Sequence, residues 1–460
     1  MSGMNISQVE RVEILPLNPP ANNSYSFKQG FPIVQFMIPN QPKLLLGASL
    51  RLNGVLRVNM PGSTEITPIL PDNNENKGGG DANKNVCLNS RVGVASCIEQ
   101  ITLSSMTNQT LEIVRNYGRY LASAQPITHS QEDLDTNTQL EGITASRKAN
   151  GAMIVNNDVE FSIPLRTGLL TGGNPLPIGT NGLRGMMVQL QLSPDANVLG
   201  GWVANDGTVK NDAGTGNGCF YQLRNLSLSY SLLVPDAKGQ EMMSVPSSGS
   251  FTYNAISHLY SVLNSSDQTQ NFNLGTGRTQ SVFHNFLPST HINNYNEDGF
   301  ATPPLKNATA GIYDTPTTIE RVSFLKGGVL FPIENEIDTR VASSQDRPES
   351  ELISNFINSI KPFKQMNHSL ISLNTENNLA TQVNVIGDAN RSKFVLADQD
   401  PVFGVGVAED PYRVGVDFKG TNYGIRMKTS INGNSPNSVF TYVLATNTLM
   451  YSPSGIQVVS

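Results

Sequence analysis

The segment NNENKGGGDANKN, residues 73–85, has three consecutive glycines between two lysines. Such loops can bind phosphate, because exposed backbone N–H groups and an ammonium group converge on the anion. A phosphate-binding loop, however, needs its lysine directly after the last glycine, followed by Ser or Thr at the start of a helix. Here Asp81 follows Gly80, and the next run has the character of a strand. We therefore interpret residues 73–85 as a long exposed loop between two strands.

The histidines and cysteines do not have the spacing of a metal site. His284 and His291 lie close together in HNFLPSTH, but a helical zinc pair needs an i, i+4 spacing, and a proline interrupts this segment. We interpret both as polar loop residues. Cys87, Cys97 and Cys219 are odd in number and include no CxxC pair, so we expect reduced thiols rather than a disulfide framework or a zinc knuckle.

One acidic segment resembles the start of a calcium-binding loop. Asp133, Asp135 and Asn137 occupy alternate positions in SQEDLDTNTQLEG. The EF-hand pattern then requires glycine and, at its twelfth position, glutamate, whereas Thr138 and Thr144 stand there. The sequence does not predict a dedicated calcium site.

A second acidic segment, FPIENEID, would place Glu334, Glu336 and Asp338 on one face of a strand. Paired carboxylates catalyse glycoside hydrolysis, but a solvated strand face shows the same alternation. Trp202 is the only tryptophan, whereas clefts that process sugars often stack their substrates on several aromatic rings. We favour the solvated strand face.

Two catalytic motifs are absent or incomplete. No G-x-S-x-G nucleophile elbow occurs in the sequence. Gly404 and Gly406 give the G-x-G of a dinucleotide fingerprint, but Asp410 and Pro411 replace the required helix start. The sequence therefore predicts no catalytic, cofactor-binding or metal-binding residue, and we expect a protein that is not an enzyme.

The composition argues against several further classes of function. The chain has 460 residues, 38% of them hydrophobic and 15% charged, and a net charge of −6. No run of like charges resembles a nucleic-acid-binding tail, which neutralises phosphates with clustered Lys and Arg. The N-terminal segment MSGMNISQVERVEILPLNPP contains acidic residues and lacks the apolar run that a signal peptide needs. No window of the sequence is apolar enough to span a membrane.

Short strand-like runs dominate the chain. Alternating or β-branched segments, separated by Pro, Gly and Asn clusters, are typical of sandwiches and barrels. They include LLLGASLRLNGVLRV, GMMVQLQL and YQLRNLSLSYSLLV. Residues 235–250, PDAKGQEMMSVPSSGS, are interpreted as a linker, after which the same character resumes.

Two segments have a helical period. QTLEIVRNYGRYLASA, residues 109–124, places Leu111, Val114, Gly118 and Leu121 on one stripe. RPESELISNFINSIKPF, residues 347–363, does the same with a set of apolar residues, namely Leu352, Ile353, Phe356, Ile357 and Ile360. We expect one short helix in each half of the chain.

The two halves repeat one plan. Each opens with strands, carries its helix before its midpoint and closes with a Tyr/Leu-rich strand followed by proline, FYQLRNLSLSYSLLVPD and VFTYVLATNTLMYSPSG. We interpret this as the duplication of one β-barrel module. The predicted boundaries are an N-terminal arm at 1–24, a first barrel at 25–237, a linker at 238–249 and a second barrel at 250–460.

Particular phrases resemble a known family. SRVGVASCIEQITLSS followed by QTLEIVRNYGRYLAS, and LSYSLLVPD, are similar to the first barrel of double jelly-roll major capsid proteins. YSVLNSSDQTQNFNL, FLKGGVLFPIENEID and the C-terminal run from Tyr423 are similar to the second. The resemblance is nearest to polinton-like viruses and virophages within the tectivirus–adenovirus lineage, and it extends from about Tyr25 to the C-terminus.

The resemblance implies an all-β fold of two tandem eight-stranded jelly-roll barrels, each with one short helix. It implies a homotrimer with a pseudo-hexagonal outline that tiles an icosahedral virus shell, made in the infected host cell and located in the virion. No cofactor is implied. The partners would be neighbouring capsomers and, through an N-terminal arm beneath the shell with Glu10, Arg11 and Glu13, penton and minor capsid proteins. The arm has too little positive charge to condense DNA, and an internal membrane is compatible with this inner face.

Two other functions fit the composition. A tandem jelly-roll glycan-binding, lectin-like protein would be a monomer or a small oligomer with saturable sugar binding. A β-rich glycosidase would need Glu334 and Glu336 in one cleft.

Overall fold

The protein is described from a computed structural model. It describes residues 5–59, 67–68, 87–88, 92–128, 140–141, 154–155, 158–200, 202–203, 209–210, 219–295, 299–300, 319–331, 337–338, 359, 391–392, 403–406, 415–429 and 438–460. Residues 73–85 and most of the predicted helix at 347–363 lie outside these ranges.

Strands account for most of the described chain. The first half contains β1 (Ile6–Ile14), β2 (Ser24–Tyr25), β3 (Ile33–Ile38), β4 (Leu44–Asn59), β5 (Thr67–Pro68), β6 (Cys87–Leu88), β7 (Ile98–Ser105), β8 (Thr110–Arg115), β9 (Ile154–Val155), β10 (Asp158–Pro164), β11 (Leu176–Pro177), β12 (Met186–Leu192), β13 (Leu199–Gly200), β14 (Trp202–Val203), β15 (Val209–Lys210) and β16 (Phe220–Pro235). The second half contains β17 (Gly249–Val262), β18 (Asp267–Phe272), β19 (Thr279–Leu287), β20 (Ile319–Lys326), β21 (Val329–Leu330), β22 (Ile337–Asp338), β23 (Arg391–Ser392), β24 (Phe403–Gly406), β25 (Tyr423–Thr429), β26 (Ser438–Ser452) and β27 (Gly455–Val459).

Helices are few and short among the described residues. They are α1 (Tyr117–Thr128), α2 (Gly168–Thr171), α3 (Asp195–Val198) and α4 (Ala237–Ser244), with 3-10 turns at Gly93–Cys97 and Ser289–His291. The first half thus has two four-residue helices in addition to α1.

The first half folds into two facing sheets. Its eight principal strands in chain order are β1, β3, β4, β7, β8, β10, β12 and β16. One sheet pairs the first, eighth, third and sixth of these strands (β1, β16, β4, β10), and the other pairs the second, seventh, fourth and fifth (β3, β12, β7, β8). All these pairings are antiparallel. This is the order of a jelly roll, in which eight strands form two Greek keys.

The second half repeats the same order. Its principal strands are β17, β18, β19, β20, β21, β24, β25 and β26. The first, eighth, third and sixth form one sheet (β17, β26, β19, β24), and the second, seventh, fourth and fifth form the other (β18, β25, β20, β21). β22 continues the edge of β20 beyond β21. The predicted pair of tandem eight-stranded jelly rolls is confirmed.

Residues of one strand, β19, belong to two hydrophobic clusters, one in each barrel. Successive side chains of a strand point to opposite faces. In β19, which is buried along its whole length, Val282 and Phe286 enter the core of the second barrel, whereas Phe283 and Leu287 join the larger cluster of the first barrel. β19 therefore lies between two interiors, that of its own barrel and that of the other.

The helix predicted at 109–124 is wrong in its first half. Residues Thr110–Arg115 form β8, which pairs with β7, and α1 begins at Tyr117. Asn116 separates them with a positive φ of 50°. The β-branched Ile113 and Val114 favour a strand, and a helical stripe cannot be told from a short strand by spacing alone.

The predicted linker contains a helix. α4 lies at Ala237–Ser244, and the Asp236 carboxylate accepts a hydrogen bond from the backbone N–H of Gly239 at 2.8 Å, as an N-cap does. Asn181 of the first barrel donates to the carbonyl oxygens of Met242 and Val245. The connection between the barrels is thus held in place rather than extended.

The segment predicted as an N-terminal arm contributes a strand to the first barrel. β1 pairs with β16 from Ile6 to Ile14. Two of the charged residues assigned to outside contacts have partners inside the chain, because Glu10 forms an ion pair with Lys43 at 2.6 Å and Glu13 accepts a hydrogen bond from the Ser227 hydroxyl.

Candidate functional site: the seam between the barrels

The two barrels meet over a buried surface that both of them build. We call it the seam. The first barrel contributes β8, α1 and α2, and the second contributes the outer face of β17, β26 and β19. Tyr253, Ile256, Phe440 and Tyr442 of the second barrel belong to the same buried cluster as the first barrel's core. Apolar side chains of both barrels are therefore removed from water in one shared cluster, which stabilises their contact.

Glu112, on β8, lies at the centre of the seam and is 4% exposed. Its Oε1 accepts hydrogen bonds from the backbone N–H of Gly168 at 2.8 Å and of Ile256 at 2.6 Å, and its Oε2 accepts from Leu169 at 2.9 Å. Gly168 and Leu169 begin α2, and Ile256 lies on β17 of the second barrel. One carboxylate therefore joins three backbone segments.

Burial dominates the charge state of this carboxyl group. Desolvation raises the pKa of Glu112 to about 7, although the N–H groups of Ile256, Leu169 and Gly168 and the Thr167 side chain lower it. Among the described residues Glu112 forms no ion pair with Lys, Arg or His. Hydrogen bonds from the N–H groups and the Thr167 side chain offset the burial of its charge only in part, so the folded chain favours the protonated carboxyl group more than the unfolded chain does.

Two tyrosines of the second barrel donate hydrogen bonds to backbone carbonyl groups on β8 and directly after it. The Tyr253 hydroxyl donates to the Leu111 carbonyl oxygen at 2.9 Å, and the Tyr442 hydroxyl donates to the Asn116 carbonyl oxygen at 3.0 Å. β8 is an edge strand of its sheet. An unpaired edge can associate with other chains, and the Tyr253 hydroxyl pairs one carbonyl group of this strand from within the same chain.

A cation lies against the aromatic side of the seam. The Arg119 guanidinium on α1 is 4.6 Å from the centre of the Phe440 ring and donates to the Asn116 side chain. The His258 ring is 5.1 Å from the Tyr442 ring. Burial, together with Arg119 and Arg115, lowers the pKa of His258 to about 3, so this imidazole is neutral at neutral pH.

Glycine permits the close approach of α2 to β17. A Cβ atom on Gly168 would lie 2.8 Å from the Asn254 carbonyl oxygen and 2.9 Å from the Ala255 Cα. Both contacts are shorter than side-chain carbons tolerate, so glycine is required at this position for the barrels to reach this distance.

The histidines considered as a zinc pair lie in different settings. His284 is a buried residue of β19 and not a loop residue, which corrects that part of the interpretation. Its Nδ1 lies 2.8 Å from the Thr441 hydroxyl and its Nε2 lies 2.8 Å from the Tyr423 hydroxyl, and burial lowers its pKa to about 3. His291 lies on the 3-10 turn. Among the described residues no group of three or more His, Cys, Asp or Glu could hold a metal ion.

Several other residues singled out from the sequence are not described. These are residues 73–85, Asp133, Asp135, Asn137, Glu334, Glu336 and Asp410. Gly404 and Gly406 lie on β24, which pairs with β19, so they belong to a strand rather than to a nucleotide loop. No helix within the described ranges is long and apolar enough to cross a membrane.

The residues that build the seam were missed in the sequence. Glu112 was placed on a predicted helix, and Tyr253, Tyr442 and Gly168 were not singled out. One signal for Glu112 is present in the sequence, since it lies inside the apolar run LEIV. A carboxylate is costly to bury unless it is hydrogen-bonded, so this position indicates a buried group with hydrogen-bond donors around it.

Comparisons with known proteins place the fold in one class. No family model and no curated protein sequence matches the chain. Solved structures do match: the capsid of PBCV-1 virus has 12% identity and a TM-score of 0.58, with 99% of this chain and 98% of that chain covered. The Faustovirus major capsid protein has 8% identity and a TM-score of 0.58, with 97% and 91% covered. The Sputnik virophage structure has 9% identity and a TM-score of 0.53, with 99% and 88% covered.

The chain has the double jelly-roll fold of these capsid structures over nearly its whole length. These three structures come from virus capsids. At identities of 8–12% the similarity is one of fold, and function has to be argued from the surfaces that the fold carries.

Proposed function

We propose that the chain is a major capsid protein that forms homotrimeric capsomers with a pseudo-hexagonal outline, which tile an icosahedral virus shell. The observation that carries this proposal is the identical strand order of the two barrels, joined by a buried seam. Three such chains present six equivalent barrels around one axis, which a chain with one barrel achieves only as a hexamer. The capsid origin of the similar structures supports the same function.

The seam suits a shell protein mechanically. A capsomer has to keep its outline under load from its neighbours, and the seam holds the barrels through packed aromatic residues and the hydrogen bonds of Glu112. A trimer of this kind would bury roughly 2,000–5,000 Å² in total at its interfaces, as obligate assemblies do.

The partners follow from this role. The chain binds itself and neighbouring capsomers, and the N-terminal segment meets penton and minor capsid proteins. We assign it no specific contact with nucleic acid, no cofactor and no catalysis, and an internal membrane beneath the shell is compatible with the assignment. We further propose barrels at 25–237 and 250–460, with β1 added to the first and residues 238–249 as the connection.

Light scattering of the purified chain, with negative-stain images of the same peak, tests the proposal. We expect a mass of three chains and a hexagonal outline. A stable monomer without that outline would contradict the capsomer assignment and favour a tandem jelly-roll sugar-binding protein, which saturable binding to a glycan array would then identify.

A further inference from the structure

Arg119, on α1, is a buried cation whose hydrogen-bond donors are only partly used. Its side chain is 3% exposed. Nη1 donates to Oδ1 of Asn116, and the guanidinium lies 4.6 Å from the centre of the Phe440 ring. Within the described part of the chain, Nε and Nη2 are buried and have no hydrogen-bond partner. Buried donors nearly always have a partner, and leaving one without is costly, so these two nitrogens indicate a ligand.

The charge of Arg119 is also not balanced by an ion pair with any described acid. Glu99 interacts with it at longer range, but burial raises the pKa of Glu99 more than Arg119 lowers it, and the Glu99 carboxylate accepts from the Ser193 hydroxyl instead. A second cation is close, because Arg119 and Arg115 both lower the pKa of His258. A guanidinium group keeps its charge in proteins, and a buried charge without a counterion is costly. This environment favours an anion.

The positions of the two unused nitrogens select the kind of anion. Nε and Nη2 lie on one edge of the planar guanidinium group, and their N–H bonds are parallel. This edge binds two oxygens of a carboxylate or an oxyanion at once, which a halide ion cannot match. Because both nitrogens are buried inside a single chain, a carboxylate of another protein does not reach them. A small inorganic oxyanion can be enclosed there as the chain folds.

Gly299, in the segment that follows β19, leaves space in front of Nη2. A Cβ atom on Gly299 would lie 3.7 Å from Nη2 of Arg119, 3.4 Å from Oδ1 of Asn197 and 3.2 Å from the His291 carbonyl oxygen. Oδ1 of Asn197 accepts a hydrogen bond from the backbone N–H of Asn293 at 2.8 Å. Two acceptor oxygens thus border this space, and they favour an oxyanion that carries a proton and can donate a hydrogen bond.

We infer that Arg119 binds a small inorganic oxyanion that carries a proton, such as hydrogencarbonate or hydrogenphosphate, between α1 and the segment around Gly299. Two of its oxygens accept from Nε and Nη2, and its hydroxyl group faces the His291 carbonyl oxygen. The anion offsets the buried charge and links α1 of the first barrel to a segment of the second. The site lies within one chain, so the inference does not depend on the proposed capsomer.

Equilibrium urea unfolding of the full chain tests the inference. The measurement is made at neutral pH and constant ionic strength, with sodium chloride replaced stepwise by sodium phosphate or sodium hydrogencarbonate. A ligand that binds only the folded chain raises the unfolding midpoint once its concentration exceeds the dissociation constant. We expect the midpoint of the wild type to rise with the logarithm of the concentration of at least one of the two oxyanions.

Four variants locate the effect. Gly299→Ala places a methyl group in the space in front of Nη2 and leaves Arg119 intact, and alanine suits this backbone because Gly299 has no positive φ. We expect Gly299→Ala and Arg119→Gln to lose the rise. Arg115→Gln removes an exposed neighbouring charge, and Gly455→Ala adds a carbon that meets no atom within 4 Å, so both should keep it.

The amount of bound anion gives a second measurement that needs no variant. Wild-type protein is prepared in phosphate or hydrogencarbonate, desalted and unfolded in urea, and we expect ion chromatography to find an equimolar amount of the oxyanion. No released oxyanion together with a constant midpoint would overturn the inference. An equal rise in the wild type, Gly299→Ala and Arg119→Gln would also overturn it, because it would show a general salt effect. A monomeric mass of the chain would contradict the capsomer and leave this site unaffected.

Discussion

The backbone N–H of Ile256 donates to Oε1 of Glu112 at 2.6 Å, and this hydrogen bond joins the edge strand of the second barrel to the edge strand of the first. The same oxygen accepts from Gly168 at the start of α2, so one carboxylate on β8 serves both the free edge of β17 and the first turn of α2. A hydrophobic seam alone lets two barrels slide. Three directed hydrogen bonds to one carboxylate fix their register, which the proposed trimer needs if its six barrels are to take equivalent places.

Replacing Glu112 with alanine removes the acceptor of three buried N–H groups. Each buried donor left without a partner costs about 1–3 kcal/mol, so we expect the free energy of unfolding to fall by at least about 3 kcal/mol. Urea unfolding of the purified protein measures this change. Thr110→Ala, on the exposed first position of β8, is the control and should shift stability by less than about 0.5 kcal/mol. Equal losses in the two variants would contradict a special role for Glu112.

The seam should weaken as the pH rises. The pKa of Glu112 is about 7 in the folded chain, against an ordinary value of 4.5. Between these values the folded chain holds a proton that the unfolded chain has released, so raising the pH removes stability, by about 1.4 kcal/mol per pH unit. Glu112→Gln cannot titrate, and the difference in unfolding free energy between wild type and this variant should change across that window. A difference that stays constant from pH 5 to 8 would show that Glu112 does not bind the proton.

Gly168→Ala should separate α2 from β17. The added methyl group would meet the Asn254 carbonyl oxygen at 2.8 Å, and backbone cannot move aside as a flexible side chain can. We expect a loss of about 1–3 kcal/mol in the free energy of unfolding, as in other overpacked sites. Gly455→Ala is the matched control, since no atom lies within 4 Å of its added carbon. If both variants keep the wild-type melting temperature, the barrels tolerate a wider spacing than the structure indicates.

The sequence predicted the architecture better than the contacts. Alternating runs such as those of β4 and β16 identify strands, and the proline-ended last strand of each half revealed the duplication, because these signals are local. The seam depends on which edges meet, which no local pattern encodes. Glu112 illustrates this: its three donors come from residues 56, 57 and 144 positions away in the sequence.

The helix α4 was missed for a different reason. Its sequence AKGQEMMS has a glycine in the interior, which weakens helix propensity by about 1 kcal/mol. The helix forms because Asp236 caps it and because Asn181 binds the carbonyl oxygens of Met242 and Val245 near its end. The capping residue Asp236 can be recognised in the sequence. The contact with Asn181, which lies in another segment, cannot.

The second barrel should lose stability in acid through His284. Burial lowers the pKa of this ring to about 3, against an ordinary value of 6.5, while its two nitrogens lie within hydrogen-bond distance of Thr441 and Tyr423. Between pH 6.5 and 3 the unfolded chain binds a proton that the folded chain excludes, so stability falls as the pH falls, by about 1.4 kcal/mol per unit. His284→Gln keeps a polar side chain without this titration. The stability of wild type relative to His284→Gln should therefore decline from pH 6.5 to 4.5, as measured by urea unfolding at each pH. His258 is present in both proteins, so its contribution cancels when their unfolding free energies are subtracted. If the difference in unfolding free energy does not change with pH, the folded barrel accepts the proton at His284.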